Sequence, residues 1–129
     1  MISIDTNVVV RYLVADEPEQ FQRATTLIEG DAVFVCLTVL LEAEWVLRAN
    51  YRLERPAVLS ALRKFSSLPS LTVEDPAALA QAIDWAEQGM DFADALHLAG
   101  STACEAFASF DRGLARMAAK VAALRVRTP

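Results

Sequence analysis

MISIDTNVVVRYL, residues 1–13, sets two apolar runs on either side of three consecutive polar residues, Asp5, Thr6 and Asn7. Ile2 to Ile4 have the composition of a short strand, and Val8 to Leu13 that of a mostly apolar helix. Asp5 therefore stands at a strand-to-helix junction. The same alternation continues outward from this stretch. Strand candidates are Ile2 to Asp5, Ala32 to Cys36, Leu71 to Val73, Ala106 to Phe110 and Leu124 to Arg127. Helical patterns fill the gaps, at about Thr6 to Val14, Pro18 to Glu29, Thr38 to Tyr51, Pro56 to Ser66, Pro76 to Gln88, Asp91 to Ala103 and Arg112 to Ala119. Pro18, Pro56 and Pro76 each stand where a first helical residue tolerates the missing N–H. Short apolar strands separated by helices imply crossover connections and a parallel sheet covered on both faces. The expected fold is a three-layer α/β/α sandwich with a central parallel sheet of about four to five strands.

A chain of 129 residues with 54% hydrophobic content fits one domain, residues 1–129, with a substantial core. The longest apolar stretch, Val33 to Leu41, is about half of the roughly 18 residues that suggest a membrane span, so no membrane association is expected. No basic region precedes an apolar one at the N-terminus, so the expected compartment is the cytoplasm. Cys36 and Cys104 lack metal-type spacing and are expected as buried, reduced thiols. Trp45, Trp85 and the phenylalanines read as core.

The net charge of −5 argues against a polyanionic partner until its distribution is read. Residues 48–64 carry Arg48, Arg52, Arg55, Arg63 and Lys64 against Glu54, and residues 111–129 carry Arg112, Arg116, Lys120, Arg125 and Arg127 against Asp111. Each segment is +4, which leaves −13 on the rest. A basic rim beside an acidic pocket suits a nucleic acid processed at a metal site, with Arg48, Arg52, Arg112 and Arg116 as candidate phosphate contacts. Solvated helix faces are the plain alternative.

In open α/β sheets ligands bind beyond the carboxyl ends of the strands. Asp5 ends the first strand candidate and Asp111 follows the fourth. Glu42, after the second strand, and Asp94, in the first turn of a helix, are the acids able to join them. Each has a structural alternative. Asp5, Asp91 and Asp111 stand where N-caps stand, and Asp94 suits the helix dipole. Glu44 is four residues before Arg48 and pairs with it as a surface ion pair. Glu42 has no such partner, and two residues along a helix put it on nearly the opposite face from Glu44. The only histidine, His97, follows Asp94 by three and reads as structural or as rim. Ser109 either faces the pocket beside Asp111 or satisfies a strand-end amide.

DTN at residues 5–7, Glu42 before the WVL of EAEWVL, DFADALHLA at 91–99 and SFDRGLARMA at 109–118 together resemble the PIN-domain ribonucleases, and most closely the VapC-type toxins of bacterial toxin-antitoxin pairs. The four motifs occur in the family's order along essentially the whole chain. The resemblance implies that Asp5, Glu42, Asp94 and Asp111 form an acidic site for one or two Mg2+ or Mn2+ ions. It implies Thr6, Asn7 and Ser109 as supporting polar residues and Asp91 as an extra acid. It also implies an RNA substrate, a homodimer and an antitoxin that blocks the groove. Glu44 departs from the apolar residue the pattern carries there. Two carboxylates about 4 Å apart repel by roughly 4 kcal/mol at an effective dielectric of 20, so converging acids call for a cation. Hydrolysis by metal-activated water follows as the expected chemistry. Three other readings stand beside it. A haloacid-dehalogenase-type phosphatase needs an Asp where this chain has Asn7. A non-catalytic binding module would use the acids only as caps. A DNA-directed nuclease would use the same metal chemistry.

Overall fold

A computed structural model describes residues 1–121 and 123–129. The chain folds as two compact units, Met1–Pro76 and Ala77–Pro129.

The first unit runs β1 (Ile2–Ser3), α1 (Thr6–Val14), α2 (Pro18–Gly30), β2 (Val33–Val35), α3 (Leu37–Ala49), α4 (Arg55–Ser66) and β3 (Leu71–Val73). Its three strands form a parallel sheet in the order β1-β2-β3, with Ile2 opposite Val33 and Val33 opposite Leu71. Each strand returns through a helix pair, the crossover that parallel pairing requires. Val33 and Val35 on the central strand are fully buried, as β-branched residues at the middle of a covered sheet should be. Val9, Ile28, Leu40, Leu47, Leu59, Leu62 and Phe65 are buried with them. Each such side chain contributes about 1.5–3 kcal/mol relative to exposure. The start of α3 has no side-chain cap from Cys36. Glu74, just past β3, supplies one instead: its Oε1 accepts from the Leu37 N–H at 2.9 Å.

The second unit runs α5 (Pro76–Glu87), α6 (Phe92–Ala99), β4 (Phe107–Ala108), α7 (Arg112–Lys120) and β5 (Val126–Arg127), with α5 beginning at the last residue of the first unit. β4 and β5 are parallel, with Phe107 opposite Val126 and α7 as the crossover. Between α5 and α6 the chain turns at Gly89, whose φ of 113° lies where a side chain is strained.

The α/β class, the parallel pairing and the helical crossovers agree with the sequence. The five strands sort into sheets of three and two. β3 spans Leu71–Val73 as expected, but the other strands are shorter than the apolar runs suggest; Asp5 turns out of β1 to cap α1, and Ser109 leaves β4 before Asp111 caps α7. α6 stops at Ala99 rather than Ala103. Gly100 follows, and the Ser101 hydroxyl donates back to the His97 carbonyl at 2.7 Å, a local bond that competes with the helix ladder. Three burial expectations fail. Cys104 is exposed, in the turn that this early stop creates, while Cys36 is half-buried; both are free thiols. Trp45 and Phe110 are 56% and 78% exposed, on the outer face of α3 and in the turn before α7. Among the described residues no helix is long and apolar enough to cross a membrane.

Candidate active site

In the first unit the polar triplet of residues 5–7 organises one pocket. Asp5 has the extended backbone of an N-cap, and its Oδ1 accepts from the Thr6 N–H at 2.8 Å. Only one carboxylate oxygen is used in this way. The next side chain, Thr6, is buried at 8% exposure, and its hydroxyl donates to Glu42 Oε1 on the second turn of α3. Thr6 thus ties the start of α1 to Glu42 and fixes where that carboxylate points. Asp5, Asn7 and Glu42 line a cavity of about 560 Å3, with Arg11 and Tyr51 among its other walls. Glu42 is exposed and Glu44 is 1% exposed, so the two do face opposite ways. Glu44 is nevertheless no surface residue: it is buried against Arg48, whose Nη2 donates to its Oε1 at 3.1 Å.

The second unit holds the other acids. Asp91 caps α6, its Oδ2 accepting from the Asp94 N–H at 3.2 Å. Asp111 caps α7, its Oδ1 accepting from the Leu114 N–H at 3.0 Å. Ser109 steadies that cap from behind, its hydroxyl accepting from the Asp111 N–H at 3.0 Å. The capping alternatives for Asp5, Asp91 and Asp111 are therefore real bonds. Asp94 caps nothing and is half-buried. Burial pushes its carboxyl above the usual range, and the negative charges of Asp91 and Asp111 push it further, with His97 partly offsetting them. The Asp94 carboxyl therefore feels two other acids of its own unit.

Among the described residues, no three His, Cys, Asp or Glu side chains are grouped closely enough to hold a metal ion by themselves. The donor chemistry of both sets still fits a hard divalent cation. Every candidate ligand is a carboxylate oxygen, and the crowding felt at Asp94 is the repulsion that a cation relieves. Of the basic candidates, Arg48 is engaged with Glu44, while Arg52, Arg112 and Arg116 are exposed. The sequence reading passed over Arg11 and gave Tyr51 no role. Arg11 Nη1 donates to Tyr51 Oη at 2.8 Å on the wall of the Glu42 pocket. The available signal was an arginine inside VVVRYLV, four residues after Asn7 and so on its face of the helix.

The chain matches no curated protein. The sequence model of the PIN domain matches residues 2–120, nearly the whole chain and all four acidic motifs. PIN domains are usually nucleases and typically use divalent metal ions. With a match over that much of its length, the chain belongs to the PIN domain family.

Proposed function

We propose that this protein is a metal-dependent endoribonuclease built as one nuclease domain over residues 1–129, and the toxin of a type II toxin-antitoxin pair. The observation that carries the reading is the Thr6 hydroxyl bond to Glu42, which holds two acids and their supporting Asn7 at one pocket. A cap alone needs no such bond.

Asp5 and Glu42 are the ligands the first unit would offer to Mg2+ or Mn2+, and Asp94 and Asp111 those of the second, for one or two ions. When bound, the ion supplies a water of lowered pKa and a positive charge against the scissile phosphodiester. Thr6 orients Glu42, and the Asp5 cap bond holds one carboxylate oxygen so that the other has a fixed direction. Ser109 does the same for Asp111 through its backbone, and Asp91 adds negative charge beside Asp94. The exposed Arg52, Arg112 and Arg116 are available to phosphates; Arg48 contributes through its pairing with Glu44.

The test is cleavage of total RNA by wild-type protein and by Asp94→Asn, each with Mg2+, with Mn2+ and with chelator. Cleavage by metal-loaded wild type alone is expected; equal cleavage by the variant would sink the assignment. The caps formed by Asp5, Asp91 and Asp111 favour a second reading, a non-catalytic PIN-fold binding module. That reading predicts folded, RNA-binding protein with no cleavage under any condition. DNA supplied as a competing substrate separates ribonuclease from DNA-directed nuclease. The toxin role, the cytoplasmic location, the homodimer and the antitoxin rest on the resemblance to VapC-type toxins. Rescue of growth by the neighbouring reading frame, when both are expressed, is the result that role requires.

A further inference from the structure

Asn7 and Arg11 stand four apart on α1 and line two cavities of the first unit. One is the pocket of Asp5 and Glu42, about 560 Å3. The other, about 510 Å3, lies between α1 and α2, where Gln20, Arg23, Ala24 and Leu27 line it from α2. Arg11 is the charged residue the two share. Its guanidinium is held from several sides: Nε donates to Gln20 Oε1 at 2.6 Å, Nη1 donates to Tyr51 Oη at 2.8 Å, and the Asp16 carboxylate stands 3.7 Å from Nη1. Nη2 has no acceptor among the described residues, and the side chain is 31% exposed. Asp16 is itself 46% exposed, so this is a weak surface pair that leaves most of the positive charge available.

A guanidinium already held by Gln20 and Tyr51 loses little freedom on binding, and its remaining donor, Nη2, can give a charge-assisted hydrogen bond to a phosphate oxygen. Arg23 is exposed on the far side of the second cavity and has no acidic partner among the described residues. Gln20 and Arg23, three apart on α2, face that cavity together. Acids on one side of Arg11 and an uncompensated arginine on the other give a path with a beginning and a direction.

We propose that Arg11 and Arg23 form a phosphate track. A single RNA strand with its scissile phosphate at the pocket of Asp5 and Glu42 lays the following phosphates on Arg11 and then on Arg23, along the groove between α1 and α2. The proposal rests on the nuclease reading and adds to it the direction in which the substrate leaves the site.

The test is binding of a mixed-sequence single-stranded RNA oligonucleotide to protein silenced by Asp94→Asn, followed across a salt series. Arg11→Gln and Arg23→Gln are each expected to raise Kd about tenfold, the loss of one charge-assisted hydrogen bond. Each should also flatten the dependence of log K on log salt by about 0.7. Arg11→Lys keeps the charge but loses the Nη2 donor that Gln20 and Tyr51 hold in place, so its Kd rises while its salt slope stays. Lys64→Gln, the same charge change on α4, is the control and should move neither. Arg23 is exposed on a helix and its variant folds even if loss of the Arg11 bonds disturbs α1. Unchanged binding by Arg23→Gln, or an equal effect from Lys64→Gln, overturns the track. So does failure of the silenced protein to bind RNA at all. The nuclease reading then stands or falls separately on metal-dependent cleavage of total RNA by the wild type.

Discussion

Glu44 shows what a single residue can conceal. The resemblance leads us to expect an apolar side chain there, and the position is indeed buried, at 1% exposure. The charge is tolerated because Arg48, one turn on, bonds to it. Arg48→Met should therefore cost on the order of 3 kcal/mol, since it strands a buried carboxylate, whereas Glu44→Leu together with Arg48→Met should recover most of the loss. Urea midpoints for the two variants check this; equal loss in both would mean that the pair itself is the stabiliser. Asp94 carries the opposite lesson. Its carboxyl lies above the ordinary 3.8 in the folded protein, because of burial and then of Asp91 and Asp111. Between the unfolded and folded pKa values the native state binds more protons, so stability falls as pH rises through that window. In chelator at pH 7, Asp94→Asn should thus melt above the wild type, and the gap should close as the pH is lowered towards 3.8. A constant gap at every pH would remove ionisation as its cause. The sequence marked Asp94 as a candidate and paired Glu44 with Arg48, but it contained no information on burial, which turns the expected surface pair into a buried one and pushes up the Asp94 carboxyl.

Helices were the most legible elements, because prolines and polar caps mark their starts. α1 was expected from Thr6 to Val14 and forms over that span. Strands were legible in place, but apart from β3 not in length, since a cap residue and a strand-end residue look alike until the backbone turns. Asp111 stands on that boundary, with a bond to Leu114 N–H that stabilises α7 and a carboxylate proposed as a ligand. The two roles separate by substitution. Asp111→Ala should lose about 1 kcal/mol of stability together with activity, while Asp111→Asn, which still caps, should keep its melting midpoint and lose activity. If Asp111→Asn cleaves RNA as well as the wild type, Asp111 is a cap and nothing more. Arg11 escaped the sequence reading for a related reason. Its importance comes from Gln20 on α2 and from Tyr51 beyond α3, and no local pattern announces such contacts.

Across the whole molecule, the family match covers both compact units. Metal binding should appear as global stabilisation. Mn2+ at a hundredfold excess over its Kd adds about 2.7 kcal/mol, and each kcal/mol raises the midpoint by roughly 3–5 °C for a chain of this size. A melt of wild-type protein with and without Mn2+ reads this directly, and no shift at millimolar metal would count against ligation by the folded protein. The Glu74 carboxylate on the Leu37 N–H also bears on how the molecule comes together. Helices usually begin with a cap from their own sequence, so they can flicker into existence early. The opening turn of α3 takes its acceptor from 37 residues downstream and is finished only when β3 docks beside β2. The helix that carries Glu42 therefore has an opening turn whose side-chain acceptor is not local. A chain still short of residue 74 has Glu42 and the Thr6 hydroxyl that aims it but lacks the acceptor that closes the first turn of α3, so that turn is completed with the sheet rather than ahead of it.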